Sequence, residues 1–348
     1  MRERSLRGQP LVEVTRGDLV ESVHRIAACA IDAGGNVTEA IGDIDALVFL
    51  RSSAKPFIAA AAIAAGARER FGLEDDEIAI MAASHTGQAF HVTAVRSILR
   101  KIGLDENALA CGAHAPYNAQ AALDLERSGI SFSAVHNNCS GKHAGILALA
   151  KLMGADTGTY MDPRNPAEIR ILELCAQLSG VRVDDLRLGI DGCGIPVYAT
   201  PLRNAALSFM RFATLSGVND ADARALQIVR TAMMEHPQYV SGTSEFDTRL
   251  MEVTAGSLCC KGGAEGVHGD AAISAGIGFV LKVIDGAARG RAPATLASLH
   301  RLGVLGDAQV EALSEFAHPV LRNRAGRPVG EIRTLNPTEE MELHQHLV

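Results

Sequence analysis

Two residues near the start of the chain, Ser52 and Lys55, have the types and the spacing that nucleophilic catalysis requires. They belong to the segment Arg51-Ser52-Ser53-Ala54-Lys55, where a strand-like pattern gives way to a helical one. Side chains three residues apart lie on one face of a helix, and a neutral lysine can take a serine's hydroxyl proton to create a nucleophile for acyl transfer. The alternative is an N-capping serine beside an exposed lysine, and the motif alone leaves both open.

Lysine usage strengthens the catalytic interpretation. The chain has 6 lysines and 27 arginines. Arginine carries a permanent charge, whereas lysine can lose its proton, so a lysine in an arginine-rich chain is a good functional candidate. The candidates are Lys55, Lys142 and Lys261, whereas Lys101, Lys151 and Lys282 are expected to be solvated charges.

Two further segments carry a hydroxyl and a lysine in turn-forming surroundings. Ser84 lies in ASHTGQ after an apolar run, and either caps a helix or presents a second hydroxyl to a cleft. Lys261 is followed by Gly262 and Gly263, which let the backbone approach a ligand closely. The position of this lysine resembles that of the K-T-G element of penicillin-recognising enzymes, although glycine replaces the threonine. The alternative is that the segment forms a simple turn.

A metal site is suggested by two thiols. Cys139 is followed at turn spacing by Lys142, and Cys193 lies in a glycine-rich loop that could fold back onto them. Two thiolates with nitrogen donors suit Zn²⁺. Spacing alone favours His143 or His136 as the nitrogen ligand, and buried free thiols remain the alternative.

The elements that must position these residues form an α+β pattern. Residues 10–50 show strand periodicity, residues 57–255 are mostly helical, and strand character returns from residue 271. This predicts an antiparallel sheet built from both chain ends with a large helical insertion, the serine β-lactamase-like layout. We expect a single domain (1–348), with residues 1–55 and 262–348 in the sheet-containing part and 56–261 in the mainly helical part.

Composition narrows the function class. A net charge of −7 argues against a nucleic-acid surface, and the charged N-terminus does not resemble a signal peptide. The longest apolar stretch is too short to cross a bilayer. Seven scattered cysteines indicate a reducing compartment, so a cytoplasmic protein is expected, without membrane or nucleic-acid partners.

Five segments together carry a resemblance to a known family. RSSAKP, AASHTGQ, NNCSGKHAG, GIDGCGIPVYA and KGGAEG occur in this order and resemble the rhizobial-type (class 3) L-asparaginase II family over essentially the whole chain. The resemblance implies a β-lactamase-like fold, hydrolysis of L-asparagine to L-aspartate and ammonia, and a homodimer.

The resemblance also implies roles for individual residues. Its catalytic part consists of two Ser–Lys pairs, Ser52 with Lys55 and Ser84 with Lys261. Its metal is a Zn²⁺ ion held by two cysteines and a lysine, here Cys139, Lys142 and Cys193, in place of the histidine that spacing favoured. Its substrate pocket is lined at the positions of Arg51, His143 and Asp191.

Two rival functions remain at this stage. A penicillin-recognising hydrolase or acyltransferase would share the Ser52–Lys55 motif, but the missing K-T-G threonine and the absence of an S-D-N element oppose it. A non-catalytic, zinc-stabilised protein that binds small amides would use the same pocket without turnover. Release of ammonia from asparagine separates both from an asparaginase.

Overall fold

The computed structural model describes residues 6–335. Its strands are β1 (Gln9–Arg16), β2 (Leu19–Ile31), β3 (Val37–Ile41), β4 (Leu47–Phe49), β5 (Arg187–Ile190), β6 (Pro196–Pro201), β7 (Leu258–Gly263), β8 (Val267–Ala272), β9 (Ile277–Val283), β10 (Val320–Arg322) and β11 (Pro328–Thr334).

The α-helices lie mostly between β4 and β7. They are α1 (Lys55–Ala64), α2 (Ala67–Phe71), α3 (Asp75–Met81), α4 (Ala89–Lys101), α5 (Ala119–Arg127), α6 (Ser140–Leu152), α7 (Pro166–Ser179), α8 (Leu202–Thr214), α9 (Asp220–Glu235), α10 (Pro237–Val240), α11 (Phe246–Thr254), α12 (Arg291–Arg301), α13 (Asp307–Glu311) and α14 (Ser314–Ala317). Short 3₁₀ helices cover Arg51–Ala54, Glu106–Ala108, Ala134–His136, Thr157–Thr159, Val183–Asp185 and Ala288–Gly290.

The main sheet joins the two ends of the chain. Its order is β10-β11-β1-β2-β9-β8-β7, with β3 also paired to β2, and every pairing is antiparallel. The central strand β2 pairs with β1 on one side and with β9 on the other. The α+β prediction, with an antiparallel sheet from both chain ends and a helical insertion, is therefore confirmed.

The proposed division of the chain meets two exceptions in the structure. Its boundary at residue 262 falls inside β7, because the Lys261-Gly262-Gly263 segment that resembled a turn continues the edge strand. The mainly helical part also contains β5 and β6, which form a second, three-stranded sheet with β4. This small sheet adjoins the turn that carries Ser52.

Close packing between the helices and the sheet depends on small residues. The α1 residues Lys55–Ile63 are all buried, and five of these nine are alanine or proline. Helix α8 lies directly on β9, where a Cβ atom at Gly278 would come within 1.9 Å of the Met210 backbone nitrogen. Among residues 6–335, no helix has both the length and the apolar character needed to cross a membrane.

Candidate active site

The Arg51–Ala54 turn connects β4 to α1 and presents the first candidate pair. Arg51 has φ = +50°, a left-handed conformation that costs free energy for a residue with a side chain and is common at functional sites. Gly263, at the end of β7, lies against this turn, since a Cβ atom there would come within 3.0 Å of the Leu50 oxygen and 3.4 Å of the Ser52 nitrogen. The edge strand β7 therefore packs against the turn that carries Ser52.

Lys55 is buried at the start of α1 among a carbonyl oxygen, a hydroxyl group and the sulfur atom of Cys139. Its Nζ donates to the Ala83 carbonyl oxygen at 2.6 Å, to Ser84 Oγ at 2.9 Å and to Cys139 Sγ at 3.3 Å. No carboxylate pairs with it among the residues that the structure describes. Burial lowers the pKa of Lys55 to about 8, in spite of the opposing effect of Cys139.

The two serines stand in different relations to Lys55. Ser52 lines a pocket together with Lys55, but no hydrogen bond joins their side chains within residues 6–335. Ser84 is bonded to Lys55 and is held by its backbone, which donates to the Val240 carbonyl oxygen at 2.9 Å. Lys55 is therefore the lysine near both serines.

This arrangement differs from the second pair that the resemblance implies. Lys261 Nζ donates to the Gly262 carbonyl oxygen at 2.7 Å and lies 3.4 Å from Asp247 Oδ2. Within the described part of the chain, no hydrogen bond joins it to Ser84. The reason is electrostatic, since a buried ammonium turns to the carboxylate beside it.

Asp247 belongs to a buried ionic network behind Lys261. Its Oδ2 accepts from the Gly262 backbone at 2.7 Å, and its Oδ1 lies 3.3 Å from His268 Nε2, whose Nδ1 lies 2.9 Å from Asp270 Oδ2. Burial opposes ionisation of Asp247, but Lys261, His268 and Arg291 hold its pKa well below the usual value. Sequence reasoning missed this network because its members come from α11, β7, β8 and α12.

The same network contains atoms that could ligate a metal. Ligand atoms of Asp247, Cys260 and His268 lie within 4.8 Å of one another. However, the Asp247 oxygens already accept from Gly262 and contact Lys261, and these cationic surroundings oppose a second cation. We therefore interpret this cluster as the ionic support of Lys261.

The predicted zinc ligands do come together. Lys142 Nζ lies 2.9 Å from Cys193 Sγ. The neighbouring Cys193 side chain lowers the pKa of Cys139 well below its usual value, against the effect of burial and with help from Lys55 and Lys142. One nitrogen and two sulfur donors, with a thiolate among them, form a set that fits Zn²⁺.

The histidines favoured by spacing are placed elsewhere. His136 lies in a 3₁₀ turn, where its Nδ1 accepts from the Ser133 backbone at 3.0 Å. His143 Nδ1 lies 2.6 Å from Tyr160 Oη, which itself accepts from the Ala110 nitrogen. The Nε2 atom of His143 is buried and has no hydrogen-bond partner among residues 6–335. Such a group suits a hydrogen bond to a ligand.

Helix α6 brings Cys139 and Lys142 close to Lys55 because its first turns carry glycine. A Cβ atom at Gly141 would come within 2.1 Å of the Ile80 carbonyl oxygen, and one at Gly145 within 2.9 Å of Met81 Cε. Helices α6 and α3 can therefore approach each other more closely than larger residues would permit.

The pocket beside Ser52 combines charged groups with an apolar wall. Arg51 Nε and Nη2 both donate to Asp191 Oδ1, at 3.0 and 2.8 Å. These two predicted substrate-binding residues are thus paired with each other. The pocket is lined by Arg51, Ser52, Ala54, Lys55, Ile58, Lys142, Pro163, Glu168, Ile171, Leu172, Leu188, Asp191, Ile195, Pro196, Val197 and Tyr198.

Glu168 is a pocket residue that sequence reasoning missed. On α7 the apolar residue Ile169 is 45% exposed, and the buried face runs through Glu168 and Ile171. A signal was present, since Glu168 and Ile171 are spaced i,i+3. A carboxyl group in phase with an apolar stripe indicates either a buried partner or a ligand.

Comparison with known protein families assigns the chain to one of them. The family model described as L-asparaginase II matches residues 12–334. The chain belongs to the L-asparaginase II family. This membership supports a hydrolase that acts on amides. Comparison with curated proteins finds no match.

Several solved structures are distantly similar to this L-asparaginase II family member. A crystal structure of a protein called Mglu is 15% identical with a TM-score of 0.46, and the alignment covers 81% of this chain and 69% of that one. A second Mglu structure, in its tris and glutamate form, is also 15% identical with a TM-score of 0.46, over 81% of this chain and 61% of that one. A β-lactamase-like protein of Bacteroides dorei DSM 17855 is 15% identical with a TM-score of 0.38, over 74% and 84% of the two chains. At these values the likeness adds nothing to the assignment of function.

Proposed function

We propose that this protein hydrolyses L-asparagine to L-aspartate and ammonia through an acyl-enzyme on Ser52. The observation that carries the proposal is the pocket in which Ser52 and Lys55 meet the Arg51–Asp191 pair. Within an L-asparaginase II family, this combination provides a nucleophile, a base and a cation that can recognise the α-carboxylate of an amino acid. The rhizobial-type subclass is part of the same proposal.

The reaction begins with proton transfer from Ser52 to Lys55. Ser52 Oγ bonds to the side-chain amide carbon of the substrate, and backbone N–H groups near Ser52 stabilise the resulting oxyanion. Lys55 then returns the proton to the leaving amine, so that the C–N bond breaks and ammonia departs. The Lys55–Ser84 hydrogen bond provides a path along which this proton can move.

A water molecule completes the cycle. Lys55 takes a proton from the water, the water oxygen bonds to the acyl carbon, and the ester bond to Ser52 breaks as Ser52 recovers its proton. Lys261 lies outside this direct path in our proposal. Its ionic network holds β7 and hence Gly263 against the Ser52 turn.

Substrate recognition would use the charges around Ser52. Arg51, which Asp191 holds in place, is the cation for the α-carboxylate, and the buried Nε2 of His143, which has no partner within the described part of the chain, is available to the substrate. A Zn²⁺ ion on Cys139, Lys142 and Cys193 would supply a positive charge that helps to position the substrate. Glutamine is longer by one methylene, and displacement of its amide carbon by ~1 Å can cost on the order of 100-fold in rate.

The cellular setting completes the proposal. All seven cysteines are free and buried, which fits a reducing, cytoplasmic environment.

A homodimer is expected from the family resemblance, and sedimentation at micromolar concentration tests it.

The decisive experiment is an ammonia-release assay with L-asparagine, L-glutamine and a chromogenic β-lactam. We expect turnover of asparagine, slower turnover of glutamine and none of the β-lactam. Turnover of the β-lactam alone would favour a penicillin-recognising enzyme, and binding of asparagine without ammonia would indicate an amide-binding protein.

A matched pair of variants tests the nucleophile. Ser52→Ala should lower kcat by on the order of 10⁴-fold or more, whereas Ser53→Ala, whose hydroxyl donates to the Leu50 carbonyl oxygen at 2.6 Å, should leave a folded enzyme that still turns over. Equal activity of Ser52→Ala and the parent enzyme would exclude the acyl-enzyme.

A further inference from the structure

Glu168 is a buried acceptor without a partner in the wall of the pocket. Its side chain is 5% exposed, its Oε1 has no hydrogen-bond partner, and no residue of the range 6–335 donates to either of its oxygens. Buried polar groups are nearly always hydrogen-bonded. A polar atom left without a partner in the wall of a pocket that Ser52 also lines therefore indicates a group that arrives with the ligand.

The other acid of the pocket is already neutralised. Asp191 Oδ1 accepts from Arg51 twice and from the Gly192 backbone at 2.7 Å. Glu168, by contrast, has Lys142 as its charged neighbour, and the Lys142 ammonium is directed to Cys193 at 2.9 Å. Glu168 is therefore the acid of this pocket that has no hydrogen-bonded cation among the described residues.

The electrostatics of Glu168 agree with an open place for a cation. Burial raises the pKa of its carboxyl group to about 8, and Lys142 only partly offsets this effect. A cation bound beside Glu168 would stabilise the ionised form, because charge–charge attraction is strong where water is excluded. A neutral or anionic ligand group would not provide that stabilisation.

We propose that Glu168 binds the ammonium group of the substrate, so that this pocket selects amides bearing a free amino group. The inference rests on the proposed asparagine hydrolysis for the identity of the ligand. The inference adds Glu168 as the binding residue that recognises the ammonium group of the ligand. Ile171, on the next turn of α7, lines the same pocket and offers an apolar surface to the carbon chain of the ligand.

The test compares two ligands that differ only in the ammonium group. L-Aspartate and succinate are titrated calorimetrically into the full-length protein as purified, its zinc content measured, and into its Glu168→Gln and Glu173→Gln variants. Glu173 is exposed on the same helix and serves as the matched control. We expect the parent protein and Glu173→Gln to bind L-aspartate at least ~10-fold more tightly than succinate, a typical value for one charged hydrogen bond.

In Glu168→Gln this preference should fall to about 3-fold or less, with succinate affinity little changed, since glutamine keeps the size of the side chain and removes its charge. Glu168→Asp, which keeps the charge on a shorter side chain, should retain part of the preference. Circular dichroism verifies that each variant is folded.

Three results would overturn the inference: a parent protein without preference for L-aspartate, a full preference retained in Glu168→Gln, or a preference lost in Asp191→Asn alone. Because the readout is binding, it is separate from the proposed reaction. A Glu168-dependent preference without ammonia release from asparagine would refute the reaction and support the ammonium site.

Discussion

Lys55 and Lys261 are both 1% exposed, yet their ammonium groups meet different kinds of neighbour. Lys55 donates to a carbonyl, a hydroxyl and a thiol. Lys261 faces Asp247, which is supported in turn by His268 and Asp270. Burial lowers the pKa of both lysines, and this effect is opposed by Cys139 at Lys55 and by the Asp247 carboxylate at Lys261.

The difference indicates a division of labour. A lysine beside a buried carboxylate is stabilised as a cation, whereas Lys55, whose pKa burial lowers to about 8, can alternate between its charged and neutral forms. The surroundings of Lys55 therefore suit proton transfer, and those of Lys261 suit structural support of the edge strand. A sequence motif centred on lysine cannot distinguish these cases, because the carboxylate that decides between them lies 14 residues away in Asp247.

The largest expected effect is a loss of kcat when Lys55 is replaced. Lys55→Met should lower kcat by about 10³-fold, the usual effect of removing a general base. Lys55→Arg should be nearly as inactive, because arginine does not lose its proton. Steady-state kinetics on folded protein provides the measurement, with Lys151→Met, exposed at the end of α6, as the control. An active Lys55→Arg enzyme would assign the base elsewhere.

For the free energy of unfolding, we expect the larger effect from the substitution of Lys261 and the smaller effect from that of Lys55. Lys261→Met leaves the buried Asp247 carboxylate without its ammonium partner, and we expect a loss of about 3 kcal/mol in the free energy of unfolding. Lys55→Met leaves no carboxylate unpaired but removes the donor from three acceptors, so we expect a smaller loss of about 1–2 kcal/mol. Urea denaturation of both variants measures the difference.

A double-mutant cycle sharpens this second prediction. If Lys261 acts through Asp247, then Lys261→Met combined with Asp247→Asn should destabilise the protein by less than the sum of the two single changes. Strict additivity would show that the two residues do not stabilise each other and that the ionic support is misassigned.

The sequence predicted the sheet and helices better than the partners within the site. The strand alternation at residues 10–50 depends on neighbours in the chain. So do the start of α7, where Asn165 accepts from the Ala167 nitrogen, and the hairpin between β2 and β3, where the Asn36 backbone nitrogen donates to Asp32 Oδ1 at 2.9 Å. Such local features are encoded within a few residues.

The pairings within the site depend on contacts distant in sequence. Arg51 meets Asp191 across 140 positions, and Ser84 meets Lys55 across 29. A motif shows which groups are present but not which of two lysines a serine will contact. The sequence did not identify Glu168 as a pocket residue for a related reason. Its place in the pocket depends on how α7 packs, and no sequence motif marks it.

The smallest expected effect concerns the thiols, which adjoin only one of the two lysines. Cys139 contacts Lys55, whereas the Lys261 network contacts neither Cys139 nor Cys193 among the described residues. Removal of bound metal by chelation, or Cys193→Ser, should therefore raise KM for asparagine by about 10-fold, as expected for one lost charged contact, and change kcat less. The free-energy coupling between Lys261 and Asp247 should stay the same.

The reason for a KM effect is that two thiolate ligands donate negative charge to Zn²⁺ and weaken it as a Lewis acid, while Ser52 and Lys55 already form a nucleophile–base system. Kinetics on metal-free and zinc-restored enzyme, with the zinc content measured for each sample, tests this. Cys175→Ser, a buried thiol of α7 outside the ligand set, controls for loss of a sulfur atom. A collapse of kcat at unchanged KM in the metal-free enzyme would mean that the metal takes part in the chemistry, and that Lys55 differs from Lys261 for a reason other than proton transfer.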